Sequence, residues 1–357
     1  MDIHRIEMVW LEMIDSSPVQ KVPVACMCDD LFNGSLTIAE GSIQDVPRTE
    51  DQCIPFPDNI HEQIKQIILV PITILILGCN SGVLCLIVAN KIFRTPAYLL
   101  IANLGLADLT VGVVSISTML TQAKEETMDL CLVRIGFTIA CCVSSIICLM
   151  CIAIERFVAI TYSLTYRQIV TACRVSLVIF LSWLVALVVG FAPLIGWKIK
   201  TYHNYCSFLY VLPSDYIKFL FSSCVLLPIL VTFTMYGLIY KYARRHIKRI
   251  EAIENLHLDR RNNRILRFSP RSMKSLKTLS AVFGCVLVTW LPFLLGTIVQ
   301  VISGNTTCYL KDIVGTHLLL LGFTNSFLNP LIYAVGTKDF RDKVRDTFGR
   351  RTSCNSP

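Results

Sequence analysis

The chain has 357 residues, of which 54% are hydrophobic and 16% charged, with a mean hydropathy of +0.60. A soluble protein carries about 25% charged residues, so this composition excludes an ordinary water-soluble fold and points to lipid as the solvent. The formal net charge of +8 does not indicate nucleic-acid binding, because Lys and Arg fall in short stretches between apolar runs, where membrane topology places them.

Residues 1–65 form an acidic segment (Asp29, Asp30, Glu40, Asp45, Glu50, Asp51), expected to be extracellular and largely disordered. Its start lacks a charged n-region followed by an apolar run, so no cleaved signal peptide is expected and the first span serves as the membrane signal. Asn33-Gly34-Ser35 is an acceptor sequon for glycosylation, and Asn305-Thr306-Thr307 is a second one further along. Cys26 and Cys28 have no partner pair at zinc spacing, so no zinc site is expected.

Residues 66–336 contain seven mostly apolar stretches, centred near Leu77, Leu109, Ile147, Leu184, Ile229, Leu287 and Leu321. Each reaches the roughly 20 residues a spanning helix needs. The expected fold is an all-α membrane protein, a seven-helix transmembrane bundle. Spans three and seven carry Ser144, Ser145, Thr324, Asn325 and Ser326. Polar groups at that depth turn inward, so these two spans should be the most enclosed.

The segments after spans one, three, five and seven carry the basic residues, among them Lys91, Arg94, Arg167, Arg174, Arg244, Arg245, Lys338 and Arg341. That side is expected to be cytoplasmic, with the N-terminus outside and the C-terminus inside. Cys26, Cys28, Cys53, Cys131, Cys206 and Cys308 then fall on the outer side, where disulfides persist, and spacing leaves their pairing open.

In residues 337–357, the run from Lys338 to Arg345 reads as a short amphipathic eighth helix lying on the membrane. Cys354 beyond it is an expected palmitoylation site.

The class is decided by motifs distributed one per span. Span one carries Gly78-Cys79-Asn80. Span two carries Asn103 and Asp108, an intramembrane carboxylate and hence a functional hypothesis by default. Span three ends in Glu155-Arg156-Phe157, and span four holds Trp183. Span five has Pro228 and Tyr236, span six Thr289-Trp290-Leu291-Pro292, and span seven Asn329-Pro330-Leu331-Ile332-Tyr333.

In this order the chain resembles the rhodopsin-like G-protein-coupled receptors from about Gln66 to Phe348. The resemblance implies a buried sodium site at Asp108, Ser145, Asn325, Ser326 and Asn329, with Asp108 as the charged ligand and no other cofactor. One carboxylate with hydroxyl and amide oxygens suits a hard cation. It further implies that Glu155 and Arg156 meet the G protein, with Tyr236 and Tyr333 as switch partners. Trp290 would form the pocket floor at the kink made by Pro292. Cys131 would pair with Cys206, and Leu164 would contact the G protein from the second inner loop, beside Tyr166. Heterotrimeric G protein and arrestin are the implied cytoplasmic partners, at the plasma membrane and among its lipids.

The departures are informative. Val286 occupies a position where relatives carry a packing Phe one turn below Trp290, and Ser272 stands where some place a Glu that locks Arg156. Appreciable ligand-independent signalling is expected from that pair.

The expected pocket wall comprises Arg134, Thr138, Ile139, Cys142, Phe208, Trp290, Phe293, Leu294, Thr297, Leu319 and Phe323. Thr138 stands where amine receptors carry an Asp, so a protonated amine lacks its counter-ion. Phe323 replaces the lysine of opsins, which excludes a retinal Schiff base. Gly196-Trp197 and Cys206-Ser207-Phe208 are similar to adenosine receptors, yet Thr297 and Phe323 replace their purine-binding residues. Cys131-Leu-Val-Arg134 and the run from Trp290 to Val301 resemble a lipid-amide-sensing branch related to the adenosine and cannabinoid receptors.

The ligand expected from this likeness is an amphiphilic lipid amide or lysolipid. Its polar head would meet Arg134, whose alternative role is to pair with lipid phosphate or Asp129. The output expected is a stimulatory G protein and cyclic AMP. The alternatives are an adenosine- or amine-type receptor of the same fold, or an orphan active without ligand. A transporter would need further ionisable residues in the spans, and an enzyme would need a catalytic set. Neither a His-Glu-x-x-His nor a Gly-x-Ser-x-Gly arrangement is present.

Overall fold

The structure is a computed structural model that describes residues 59–120, 127–199, 202, 206–255, 270–303, 308–336, 338, 340–343, 345 and 346. Contacts divide the chain into Met1–Thr49 and Glu50–Pro357, and every described residue belongs to the second unit. Asn33, Asn305, Cys354, Cys26, Cys28 and Cys53 lie outside the described residues, as does the side chain of Cys308.

Among the described residues all regular structure is helical. Helix α1 covers Asn59–Ala89, α2 Pro96–Leu120, α3 Met128–Thr161 and α4 Ala172–Ile195. Helix α5 begins as Ser214–Phe219, passes through a π-helical stretch at Leu220–Leu226 and continues over Leu227–Asn255. Helix α6 is Pro270–Ser303. Helix α7 runs from Cys308–Asp312 through a second π-helical stretch, Ile313–Leu318, into Leu319–Gly336.

Among the described residues, seven helices are long and apolar enough to cross a membrane, and each contains one of the centres read from the sequence. The chain is a multi-pass membrane protein. Its 34-residue α3 extends about 51 Å. A hydrocarbon core is about 30 Å thick, so both ends of α3 leave the lipid.

Local signals set the helix ends. Thr127 caps α3 by accepting from the Leu130 amide, and Thr171 caps α4 by accepting from the Arg174 amide. Helix α4 stops at Gly196, whose φ of 148° is open to glycine and costly for other residues.

Enclosure follows a different order from the one expected. Helix α3 is the most enclosed, but α2 comes second and α7 third. The polar residues of α7 do turn inward; several of its neighbours face a cavity instead of a packed helix. Helix α2, by contrast, puts Leu100, Asn103, Leu104, Gly105, Ala107 and Asp108 against neighbours.

In lipid, helices associate by close packing and buried polar ties. Helices α3 and α4 touch at Gly136 and Gly190: a Cβ on Gly136 would lie 2.8 Å from the Gly190 carbonyl oxygen. The Trp183 indole N–H donates to Asn103 Oδ1 at 2.8 Å, tying α4 to α2. Asn80 Nδ2 donates to the Ser326 carbonyl at 2.8 Å, tying α1 to α7. Tyr216 donates its hydroxyl to the Val189 carbonyl at 2.8 Å, tying α5 to α4.

Beyond α7, residues 338, 340–343, 345 and 346 are helical. Phe340 is fully buried and stacks on Phe93 with ring centroids 4.7 Å apart, while Tyr98 meets Phe93 edge-on. Lys338, Arg341 and Arg345 on the same segment are exposed. One apolar and one basic face is the arrangement of a helix resting on a membrane surface.

Candidate functional site

Between the outer halves of the helices lies a cavity of about 150 Å³. Arg134, Thr138, Ile139 and Cys142 line it from α3, Trp290, Phe293 and Leu294 from α6, Leu319 and Phe323 from α7, and Phe208 from above. These are the residues expected from the sequence, with one correction. Thr297 is fully buried, donates its hydroxyl to the Phe293 carbonyl at 2.8 Å and does not line the cavity. Its hydroxyl is satisfied by the carbonyl one turn back, so it can be buried away from the cavity without another partner.

The disulfide between Cys131 and Cys206, with Cα atoms 5.7 Å apart, holds the outer loop against the top of α3. Phe208 follows directly and starts a short helix, Phe208–Val211. The Tyr210 hydroxyl donates to Asp312 Oδ1 at 3.1 Å, and Lys311 Nζ sits 5.3 Å from the Tyr210 ring centroid. The loop is thus fastened to α3 on one side and to α7 on the other. The Phe293 ring is central, with centroids 5.9 Å from Phe208, 6.1 Å from Phe221 and 5.8 Å from Trp290.

Several wall residues were not read from the sequence: Lys65 on α1, Phe221 and Ile229 on α5, and Val286 on α6. Lys65 stands at the margin of the first apolar run, where a basic residue reads as a topology marker. Asp129, an expected alternative partner of Arg134, instead pairs with Lys198 at 3.1 Å.

Below the cavity, Asp108 is buried between α2 and α7 and accepts from Asn329 Nδ2 at 3.0 Å. Ser326 bonds the same carboxylate, while Ser145 and Asn325 are buried as well. The amide oxygens of Asn325 and Asn329 are buried without a hydrogen-bond donor. One carboxylate with spare neutral oxygens is a donor set that fits a hard monovalent or divalent cation.

At the inner end of α3, Arg156 Nε lies 2.5 Å from Glu155 Oε2. The Tyr166 hydroxyl donates to Glu155 Oε1, also at 2.5 Å. Burial, and then the adjacent Glu155 charge, push the Tyr166 phenol up from its usual value. It therefore stays protonated and remains a donor. Tyr166, expected to meet the G protein beside Leu164, is half-buried and has its hydroxyl on Glu155. Leu164 is 98% exposed, an isolated large aliphatic side chain on that face. Tyr236 stacks on Phe283 with centroids 5.6 Å apart. Tyr333 packs against Leu100, Val282 and Val286, its hydroxyl buried without a partner. Pro292 sits inside α6 one turn beyond Thr289, whose hydroxyl donates back to the Cys285 carbonyl at 2.9 Å.

Residues 79–333 match the family described as 7 transmembrane receptor (rhodopsin family). The chain is 32% identical over 249 residues to the glucose-dependent insulinotropic receptor of Homo sapiens, covering 67% of this chain and 72% of that receptor. It is 28% identical over 271 residues to the lysophosphatidic acid receptor 3 of Rattus norvegicus, covering 74% and 73%. It is 28% identical over 305 residues to the alpha-1A adrenergic receptor of Oryzias latipes, covering 76% of this chain and 63% of that receptor, under two thirds of its length. All three are receptors and not enzymes. The extent of the match, with its motifs placed one per helix, makes this chain a member of the rhodopsin family of seven-transmembrane receptors.

Proposed function

We propose that the chain is a plasma-membrane receptor with its N-terminus outside. Its outer cavity takes an amphiphilic lipid amide or lysolipid, and its inner face activates a heterotrimeric G protein, the stimulatory one, with cyclic AMP as output. The observation that carries this reading is the position of two sites on one rigid helix. Arg134 at the cavity and Arg156 at the inner end stand about 33 Å apart along α3, the thickness of a membrane core. An apolar cavity floored by Trp290 at one end and an ion pair beside an exposed Leu164 at the other support signal transfer across the bilayer. Thr138 in the wall, with no Asp or Glu among the described lining residues, disfavours an amine.

A ligand shifts the receptor only by binding the active state better than the resting one. The route runs from Trp290 through Asp108 and Asn329 to Arg156 and Tyr333. Outward movement of α6 would open a basic, partly apolar cleft to the G protein's terminal helix, with Leu164 as a further contact and arrestin as a competing partner. A sodium ion held by Asp108, Ser145, Asn325, Ser326 and Asn329 would favour the resting state.

The test is guanine-nucleotide exchange on purified receptor, with lysophospholipids, N-acyl ethanolamides, adenosine and biogenic amines as the panel. Faster exchange on the stimulatory G protein with the lipid arms is expected. Failure of every G protein to respond, with substrate flux across vesicles instead, overturns the reading.

A further inference from the structure

The outer end of α7 is not a regular α-helix. Between Cys308–Asp312 and Leu319–Gly336 lies the π-helical stretch Ile313–Leu318, where the Leu319 amide donates to the Val314 carbonyl five residues back. A π turn takes up one residue more than an α turn, and such turns are rare and concentrate at functional sites. The extra residue sets the phase of everything on its outer side. At about 3.6 residues per turn, taking it back into a regular helix would rotate the outer segment by about 100°. Ile313 would then stand where Asp312 stands now.

Several contacts fit the wide register. The Tyr210 hydroxyl donates to Asp312 Oδ1 at 3.1 Å, and Lys311 Nζ lies 5.3 Å from the centre of the same ring. Tyr210 follows closely on Cys206, which is disulfide-bonded to Cys131 of α3. Within the stretch, Val314 is fully buried against Gly296 of α6, where a Cβ would lie 2.7 Å from Val314 Cγ2. Gly315 meets the outer loop, where a Cβ would come 3.0 Å from Ser207 Oγ. In the regular register Ile313 offers the Tyr210 hydroxyl no acceptor, so this latch belongs to the π-helical form alone.

We propose that the outer end of α7 is a two-register switch. Tyr210 on Asp312 latches the π-helical form, and release of the latch lets Ile313–Leu318 relax to α-helix, rotating the segment outside it by about 100°. Gly315 and Thr316 line the cavity, so the register selected by the outer loop also sets the cavity's α7 wall. The switch holds whatever the cavity takes, and it stands or falls apart from the receptor reading.

The test uses purified full-length receptor with neither ligand nor G protein. A Cβ on Gly296 would lie 3.8 Å from Val314 Cβ, a separation that a disulfide spans. The pair Gly296→Cys with Val314→Cys should therefore join under mild oxidation while α7 keeps the wide register. Tyr210→Phe and Asp312→Ala should each lower the yield of that cross-link at least about twofold. Deleting Gly315 removes the extra residue: the chain should still fold, and the pair should no longer join. Tyr210→Phe should lower the unfolding temperature by about 2–4 °C in the undeleted chain and leave the deleted one unchanged. Deleting Leu295, exposed on the regular helix α6, has no extra residue to absorb it and should abolish folding.

A cross-link that forms equally with and without the Tyr210 hydroxyl overturns the proposal, as does one that still forms in the Gly315-deleted chain. Equal tolerance of the two deletions overturns it as well. Where the Gly315-deleted chain does not fold, the cross-link yields of Tyr210→Phe and Asp312→Ala decide alone.

Discussion

At Asp108, a carboxylate buried in the bundle meets one amide donor at 3.0 Å and the hydroxyl of Ser326. A charge at this depth is costly unless compensated, and the buried oxygens of Asn325 and Asn329 that lack donors are the groups a cation would satisfy. At about ten times its dissociation constant, a bound sodium ion adds about 1.4 kcal/mol to folding stability. Thermal unfolding of purified receptor should therefore move upward in sodium chloride relative to choline chloride, and Asp108→Asn should remove that difference. An equal sodium shift in the variant would take the ion elsewhere. These residues were legible because an acid in an apolar run stands out by itself. Tyr166 was not: its hydroxyl meets Glu155 only after the inner loop folds back, and nothing in the local sequence announces that contact. Thr297 failed for the same kind of reason, since helical phase within one turn decides between lining the cavity and being buried away from it.

At the level of helices, hydropathy gave all seven spans, because lipid demands a length of apolar residues that no other environment requires. Which spans touch closely was not legible, since a glycine in a sequence does not reveal what faces it. Gly136 and Gly190 allow α3 and α4 to meet at backbone distance, and a Cβ on Gly190 would come within 3.1 Å of the Ala140 Cβ. Gly284 on α6 faces open space within 4 Å. Gly190→Val should destabilise the receptor by about 1–3 kcal/mol through overpacking, lowering its unfolding temperature in detergent and its surface expression. Gly284→Ala should leave both unchanged. Equal behaviour of the two variants would remove close packing from the account of the α3–α4 contact.

Across the whole molecule, the two ends of the bundle differ in how firmly they are held. The outer end is fixed by a disulfide, by Tyr210 on Asp312 and by the Phe293 cluster. At the inner end of α3, Arg156 pairs with Glu155 and Glu155 accepts from Tyr166, while Ile152 packs with Val282 and Val286 of α6. Neither polar contact reaches α6, which meets α3 here through the small aliphatic side chains of Val282 and Val286. The sequence exposed the Val286 departure but not its consequence, which depends on what α3 sets against it. A resting state held between α3 and α6 by small aliphatic contacts should be only modestly favoured over the active one. Cells expressing the receptor without ligand should therefore accumulate cyclic AMP above vector control once stimulatory coupling is established. Tyr166→Phe removes a hydrogen bond to a charged acceptor, worth about 1.5 kcal/mol or more, and should raise the active population up to about tenfold where that state starts rare. Vector-level cyclic AMP from both proteins at matched surface expression would show that the resting state is secured by contacts other than these.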